Sequence, residues 1–520
     1  MVLRDGTLVA VVGAGAMGAG IAQVAAQAGH RVVVHDTRPG AAAEAIAGIH
    51  AQLQRQVAKG KLSRERCEQV HRALTAAEQL SEVADAGLVV EAIVEDLGAK
   101  RALFAELEQL CRPDAILASN TSSIAISALA AGLQQPQRLV GLHFFNPAPV
   151  MPLVEVVSGL ATSPAVAQAL FDTAVRWGKQ PVHAKCTPGF IVNRVARPFY
   201  AESLRLLQEG AADCATLDAV LREAGGFRMG AFELMDFIGH DVNYAVTCSV
   251  FNACYGDTRY QPSLLQKALV DAGRLGRKRG HGFYDHSLGS APPTPGWAAP
   301  APPVTECTLE GDLGPAQGLI ERLRWAGITV HNRPGAGLLR VGGATLALAD
   351  GRLASERARD EGITHLATFD LALDYRTASA LAVSFGPIEA HPRAQVIGLL
   401  QAAGLKVAVL GDTPGLAVLR TVAMLANEAA DTVLHGVASA ADIDLAMRAG
   451  VNYPQGPLAW TDALGPGFVL RTLGHLQAAY GEERYRPSLL LRRLHATGGR
   501  FHGPCESSQV KGEGSDIELK

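Results

Sequence analysis

Leu8-Val-Ala-Val-Val12, followed at once by Gly13-Ala-Gly15-Ala-Met-Gly18, is the stretch that decides the fold. The apolar residues read as a buried strand, and the glycine-spaced segment opens a helix that runs to about Ala28. Each glycine has a physical reason. Gly13 permits the tight turn, Gly15 lets a pyrophosphate approach the backbone, and Gly18 lets helix and strand pack closely. Ala16 and Met17 lie in the first helical turn, whose partial positive charge faces the phosphates. Asp36 ends the next strand, where a carboxylate accepts ribose hydroxyls. Its charge would sit against a 2′-phosphate, so the cofactor read here is NAD. Arg38 is the one nearby residue that could receive such a phosphate.

Outward from this motif, Arg31–His35, Gly87–Glu91, Ile116–Ser119 and Leu139–Phe144 read as further buried strands with amphipathic segments between them. That alternation implies a parallel, doubly wound α/β sheet of Rossmann type over residues 1–185. A mostly helical domain is expected over 186–286, opening on Thr187-Pro188, a cap residue and a first-turn proline. Residues 287–303 are rich in Pro and Ala and read as a linker. A second alternating region spans 304–410, a second helical region 411–503, and the polar 504–520 reads as a disordered tail. The layout as a whole is a Rossmann-type domain and an all-α domain, followed by a degenerate second copy of the pair.

Bulk properties remove several function classes. The chain of 520 residues is too long for one core. A net charge of −3 gives no reason to expect a nucleic-acid or membrane partner. No uncharged apolar run is long enough to span a bilayer. The eight cysteines form no Cys-x-x-Cys pair, so neither a metal site nor a disulfide framework is indicated. No basic segment followed by an apolar core opens the sequence, so a cytoplasmic location is expected.

Three further constellations carry chemistry. His143-Phe-Phe-Asn146-Pro147 closes an apolar strand, and Glu155 follows in the β-like run Leu153–Val157. Pro147 and Pro149 bend the segment between, so that His143 and Glu155 can face each other. A carboxylate holding one imidazole nitrogen leaves the other free to take a proton. An ordinary core histidine satisfied by an acid would look the same in sequence. Ser119-Asn-Thr-Ser122-Ser123 stands at the C-terminal end of a strand, where open α/β sheets bind ligands, or it is simply a strand end with a helix cap. Asn193 follows Thr187-Pro-Gly-Phe190 and could equally be an exposed asparagine.

GAGAMGAGIAQVAAQAGHRVVVHD, VVEAIVEDLGAK, SNTSS, HFFNPAPVMPLVEVV and TPGFIVNR, in this order, resemble the 3-hydroxyacyl-CoA dehydrogenases over residues 1–286. The resemblance implies NAD-dependent oxidation of the 3-hydroxyl of an acyl-CoA. It makes His143 the general base and Glu155 its partner. Ser122 and Asn193 would hold the reacting oxygen, and Asn146 would lie near the nicotinamide. Glu95 and Lys100 are implied at the nicotinamide ribose, Lys278 at the nucleotide, and Lys59 (or Lys61) near the CoA phosphates. No metal is implied. Ala349-Asp-Gly-Arg-Leu-Ala-Ser-Glu356, Phe369-Asp-Leu-Ala-Leu-Asp-Tyr375 and the two-repeat layout resemble the branch of this family that oxidises 3-hydroxyadipyl-CoA in phenylacetate degradation, a β-oxidation-type step. A general or 3-hydroxybutyryl-CoA dehydrogenase is the alternative within the family; an inactive binding homologue is the alternative outside it.

The repeat is visible in the residues themselves. Tyr255-Gly-Asp-Thr-Arg-Tyr-Gln-Pro-Ser-Leu-Leu265 recurs as Tyr480-Gly-Glu-Glu-Arg-Tyr-Arg-Pro-Ser-Leu-Leu490, and Pro188-Gly189 recurs as Pro414-Gly415. The offset sets Leu419 opposite Asn193, and a looser alignment sets Phe369 and Leu381 opposite His143 and Glu155. Gly311-Asp-Leu-Gly314 lacks the glycine spacing of the first copy. One active site is therefore expected, with the second half as an internal pseudo-dimer partner that buries an apolar face. Further homo-oligomerisation is left open.

Overall fold

Val9–Val12 (β1) is wholly buried at the centre of an eight-stranded sheet in this computed structural model, which describes Leu3 and residues 6–503. The expected tail over 504–520 lies outside the described residues. Alternation along β1 shows why an uninterrupted apolar run was needed. Val9 and Val11 enter one core, and Ala10 and Val12 enter another on the opposite face. The remaining strands are β2 (Val32–His35), β3 (Leu74–Ala77), β4 (Leu88–Glu91), β5 (Ile116–Ser119), β6 (Leu139–Phe144), β7 (Leu153–Ser158) and β8 (Gln180–Lys185). Their order is β3-β2-β1-β4-β5-β6-β7-β8, so the chain reverses direction across the sheet between β1 and β4. That switch point is where such sheets take ligands.

The sheet is not wholly parallel. β7 runs antiparallel to β6, and β8 is parallel to β7. The proline-bearing segment, whose Asn146–Pro147 peptide is cis, returns the chain beside its own strand. His143 and Glu155 consequently meet as a directly opposed cross-strand pair.

The second half is a partial copy. Its strands β9 (Glu306–Glu310), β10 (Thr329–Arg333), β11 (Leu338–Val341), β12 (Ala344–Leu348), β13 (Leu366–Phe369), β14 (Ala380–Phe385) and β15 (Lys406–Val409) form a sheet ordered β10-β9-β11-β12-β13-β14-β15. Its last four strands repeat the pattern of β5 to β8: parallel, antiparallel, parallel. This register corrects the sequence alignment by one residue. Gln180 pairs with Leu153 as Lys406 pairs with Ala380, so Ala382 stands where Glu155 stands. The Asp370 amide donates to the Ala382 carbonyl at 2.9 Å, which puts Asp370, not Phe369, in the place of His143. The Pro/Ala-rich segment is held against this sheet, with Trp297 bridging Ala408 and the Ala298 amide donating to Val407 at 2.7 Å.

The two helical regions meet through related helices, Arg197–Gln208 and Val418–Leu434. Charged residues at this contact are exchanged reciprocally. Arg194 Nε reaches Glu428 at 2.6 Å, and the equivalent Arg420 Nε reaches Glu202 at 2.7 Å. Tyr260 donates to Glu428 at 2.6 Å as Tyr485 donates to Glu202 at 2.9 Å. Each half thus supplies the counter-ion for the other half's buried arginine. One apolar core, running from Ala10 through Phe199 and Met424 to Leu491, joins one face of the first sheet to both helical regions and the second sheet, while Val9, Val11, Ile21 and Leu53 belong to a separate core on the first sheet's other face.

Candidate active site

The nucleotide end of the site follows from the glycines. A side chain at Gly13 would meet the Ala92 carbonyl oxygen at 2.4 Å, and one at Gly18 would meet the Gly13 carbonyl oxygen at 1.8 Å, so the fold itself requires both. Gly15 is different: a Cβ there would meet nothing within 4 Å. Helix Ala16–Gln27 begins beside that open space, with no side-chain cap on its first amides. An anion at the helix start accounts for a glycine that the chain's own packing does not require, and the residues present fit a dinucleotide. Asp36 stands at the end of β2, accepting the Ala14 amide at 2.7 Å and the Arg38 amide at 2.9 Å. Arg38, the residue that could have favoured NADP, is paired with Glu44 at 2.9 Å.

Beside this loop the chain buries a charged cluster. Lys100 Nζ lies 2.5 Å from Glu91 and 3.1 Å from Glu95, and is 1% exposed. Ser119 donates to the other Glu91 oxygen at 2.6 Å. Glu95 in turn accepts from Thr121 Oγ1 at 2.6 Å, the Ser122 amide at 3.1 Å and the Ser123 hydroxyl at 2.9 Å. Burial alone would raise the Glu95 carboxyl, but the Thr121 bond, the Lys100 charge and the Ser123 bond outweigh it and hold it low. Lys100 is thus enclosed by carboxylates, and orients Glu95 and the Ser122 loop.

The His143–Glu155 pair is the centre of the site. His143 Nδ1 lies 2.6 Å from Glu155 Oε2, with both side chains buried. The second carboxylate oxygen accepts the Ile191 and Val192 amides at 3.1 and 3.0 Å, at the start of the short helix Val192–Val195. Three bonds fix this carboxylate, so the ring it holds is fixed as well. Phe145 and Phe190 pack on the imidazole with centroids 4.5 and 5.9 Å away. Phe190 adopts φ 48°, a conformation repeated at Leu416 with φ 53° in the second copy. There Asp370 accepts the Ala417, Val418 and Leu419 amides, so a carboxylate still caps the helix while the histidine is gone. Burial pushes that carboxyl up to about 6.

Ser122 and Asn193 line one small cavity of about 10 Å³ between the sheet end and the helical region. Asn193 and Asn146 both line a larger one of about 780 Å³. Lys278 pairs with Asp241 at 2.5 Å in the helical region, and its neighbour Arg277 lines the larger cavity. Lys59 caps helix Ala41–Ala58, and it and Lys61 are exposed. Sequence reasoning missed Asn120, whose side-chain oxygen accepts the Phe144 amide at 2.9 Å and ties the SNTSS segment to the histidine strand. It also missed Arg197, Tyr200 and Tyr453, which line the large cavity. Arg197 alone left a readable trace, lying one helical turn after Asn193.

Comparison with known proteins bears directly on this site. The profile "3-hydroxyacyl-CoA dehydrogenase, NAD binding domain" matches residues 8–187, and the C-terminal domain of the same family matches 189–286 and again 415–502. A "3-hydroxybutyryl-CoA dehydrogenase reduced Rossmann-fold domain" matches 346–414. The chain is 46% identical over 93% of its length to 3-hydroxyadipyl-CoA dehydrogenase of Escherichia coli, covering 96% of that protein. The chain belongs to the 3-hydroxyacyl-CoA dehydrogenase family, a family of NAD-dependent oxidoreductases. A probable 3-hydroxybutyryl-CoA dehydrogenase of Bacillus subtilis is 41% identical over 53% of this chain and 96% of its own. The crystal structure of 3-hydroxybutyryl-CoA dehydrogenase from Escherichia coli superposes with a TM-score of 0.86 at 43% identity, over 95% of this chain and 99% of that one.

Proposed function

We propose that the protein oxidises 3-hydroxyadipyl-CoA to the 3-oxoacyl-CoA with NAD, using a single active site in its first half. The observation that carries this is the buried His143–Glu155 pair, whose carboxylate also accepts the Ile191 and Val192 amides next to Asn193. With Nδ1 held by Glu155, Nε2 of His143 is the atom placed to take the proton of the 3-hydroxyl. Glu155 then stabilises the imidazolium. Ser122 and Asn193, which line the small cavity, would donate to the reacting oxygen, and Asn146 would orient the nicotinamide of bound NAD. NAD, when bound, supplies the acceptor for the hydride from C3. Glu95, held by Lys100, would accept from the ribose of bound NAD, and Lys278 and Lys59 would serve the nucleotide and the CoA phosphates.

The adipyl substrate is favoured by the likeness to the Escherichia coli 3-hydroxyadipyl-CoA dehydrogenase across both halves and by arginines in the large cavity. The reciprocal Arg194–Glu428 and Arg420–Glu202 pairs support an internal pseudo-dimer, in which the second half replaces a partner subunit. Free thiols at the described cysteines suit a cytoplasmic setting.

The test is a panel of 3-hydroxyacyl-CoAs from 3-hydroxybutyryl-CoA upward, with and without a terminal carboxylate, read by NADH formation. The highest kcat/KM is expected on 3-hydroxyadipyl-CoA. Equal or higher kcat/KM on 3-hydroxybutyryl-CoA would overturn the adipyl assignment, and no NADH on any thioester would overturn the reaction.

A further inference from the structure

The large cavity holds a cation with no anion. Arg197 lines it and is 5% exposed, yet no carboxylate among the described residues pairs with it. Its Nη1 donates to Thr247 Oγ1 at 3.0 Å, its guanidinium lies 4.8 Å from the Tyr200 ring, and its Nε has no partner. Tyr453, from the second half, lines the same cavity at 7% exposure, and its hydroxyl is also without a partner. Buried donors left in this state cost stability unless something fills them.

The other arginines of the cavity differ. Arg222 is neutralised by Glu233 at 2.7 Å, while Arg228 and Arg277 are exposed. Arg197 also borders a neighbouring cavity of about 400 Å³, but its carboxylates are already engaged: Glu209 by Arg420 and Arg205, Glu482 by Arg205. Burial holds the Arg197 guanidinium below the usual arginine range, as expected for a cation lacking a counter-ion.

We propose that Arg197 and Tyr453 together bind the terminal carboxylate of a dicarboxylic acyl chain, so that the second half supplies part of the substrate-selecting surface. This rests on the adipyl reading above and names the residues that would give it. Asn193 and Arg197 are four residues apart, joined through Ala196 in helical conformation, so they share a helix face about 6 Å apart along its axis. In a six-carbon acyl chain the terminal carboxyl lies three bonds beyond C3, about 4 Å in an extended chain. With C3 held at Asn193, that carboxylate comes within reach of the guanidinium. It would accept the unpartnered Nε–H and the Tyr453 hydroxyl together, satisfying both donors and neutralising the charge. A methyl-terminated chain would leave all three uncompensated, which is how a site rejects the analogue that lacks its polar group.

The experiment uses the full chain with NAD and measures kcat/KM on 3-hydroxyadipyl-CoA and on 3-hydroxyhexanoyl-CoA. Calorimetry with adipyl-CoA and hexanoyl-CoA, which lack the hydroxyl to be oxidised, reads binding alone. For Arg197→Met the adipyl-to-hexanoyl ratio should fall on the order of 10²-fold in both measurements, the loss expected when one partner of a buried charge pair is removed. Tyr453→Phe, which deletes one oxygen, should lower it by about tenfold or less and keeps the test open if the arginine variant folds poorly. Equal losses on both substrates, or an unchanged ratio in both variants against a wild-type preference for adipyl, would overturn the Arg197–Tyr453 assignment. Absence of that preference in the wild-type protein would instead overturn the adipyl reading itself.

Discussion

Replacing His143 by glutamine is expected to lower kcat by about 10²–10⁴-fold, the usual contribution of a positioned general base. Glutamine can still hydrogen-bond Glu155 and fill much of the space beside Phe145 and Phe190, but it cannot take a proton from the substrate hydroxyl. NAD affinity should be nearly preserved, because the glycine loop and Asp36 lie on β1 and β2, several strands away from β6. Steady-state turnover together with calorimetric NAD binding separates these effects. Near-normal turnover in a folded His143→Gln protein would remove the histidine from the mechanism. Glu155→Gln should also lose activity, since the imidazolium formed in the reaction would lose its charge partner.

Glu428→Ala is expected to destabilise the chain by about 3–5 kcal/mol, the cost of breaking a buried ion pair from one side. Glu428 is fully buried and holds Arg194 at 2.6 Å, Arg259 at 3.2 Å and the Tyr260 hydroxyl at 2.6 Å. Its loss would leave Arg194, a residue of the first half, facing a cavity formed by the second half, with Arg259 retaining Asp431 and the Arg486 carbonyl. Denaturant unfolding followed by intrinsic fluorescence measures the change. Arg38→Ala, which breaks an exposed pair, should move the midpoint hardly at all and serves as the control. A Glu428→Ala protein as stable as the wild type would show that the halves are not held together by these exchanged charges.

The first sheet was legible because its motifs carry their own reasons. β5 and β6 begin and end where the apolar runs do, and the glycine spacing announces β1 and its helix. The reversal of β7 was not legible, since an apolar run has no direction in sequence. In the second half, Ala, Leu and Val dominate β12 to β15 and no motif fixes the register. The alignment therefore slipped by one residue, and Asp370 was passed over as the helix cap. Lys100 shows a different limit. A lysine in an amphipathic helix reads as solvated or ligand-facing, and only the folded chain brings Glu91, at the end of β4, against it. Arg197 and Tyr453 lie in opposite halves, so their meeting in one cavity is a property of the folded chain alone.

The central claim, one catalytic site per chain with the duplicated half supplying packing and part of the acyl pocket, is tested most directly by calorimetric titration of the full chain with NAD. The account predicts one tight site per chain, abolished by blocking the open space at Gly15 with Gly15→Val. Two tight sites per chain, or one that survives that substitution, would contradict it.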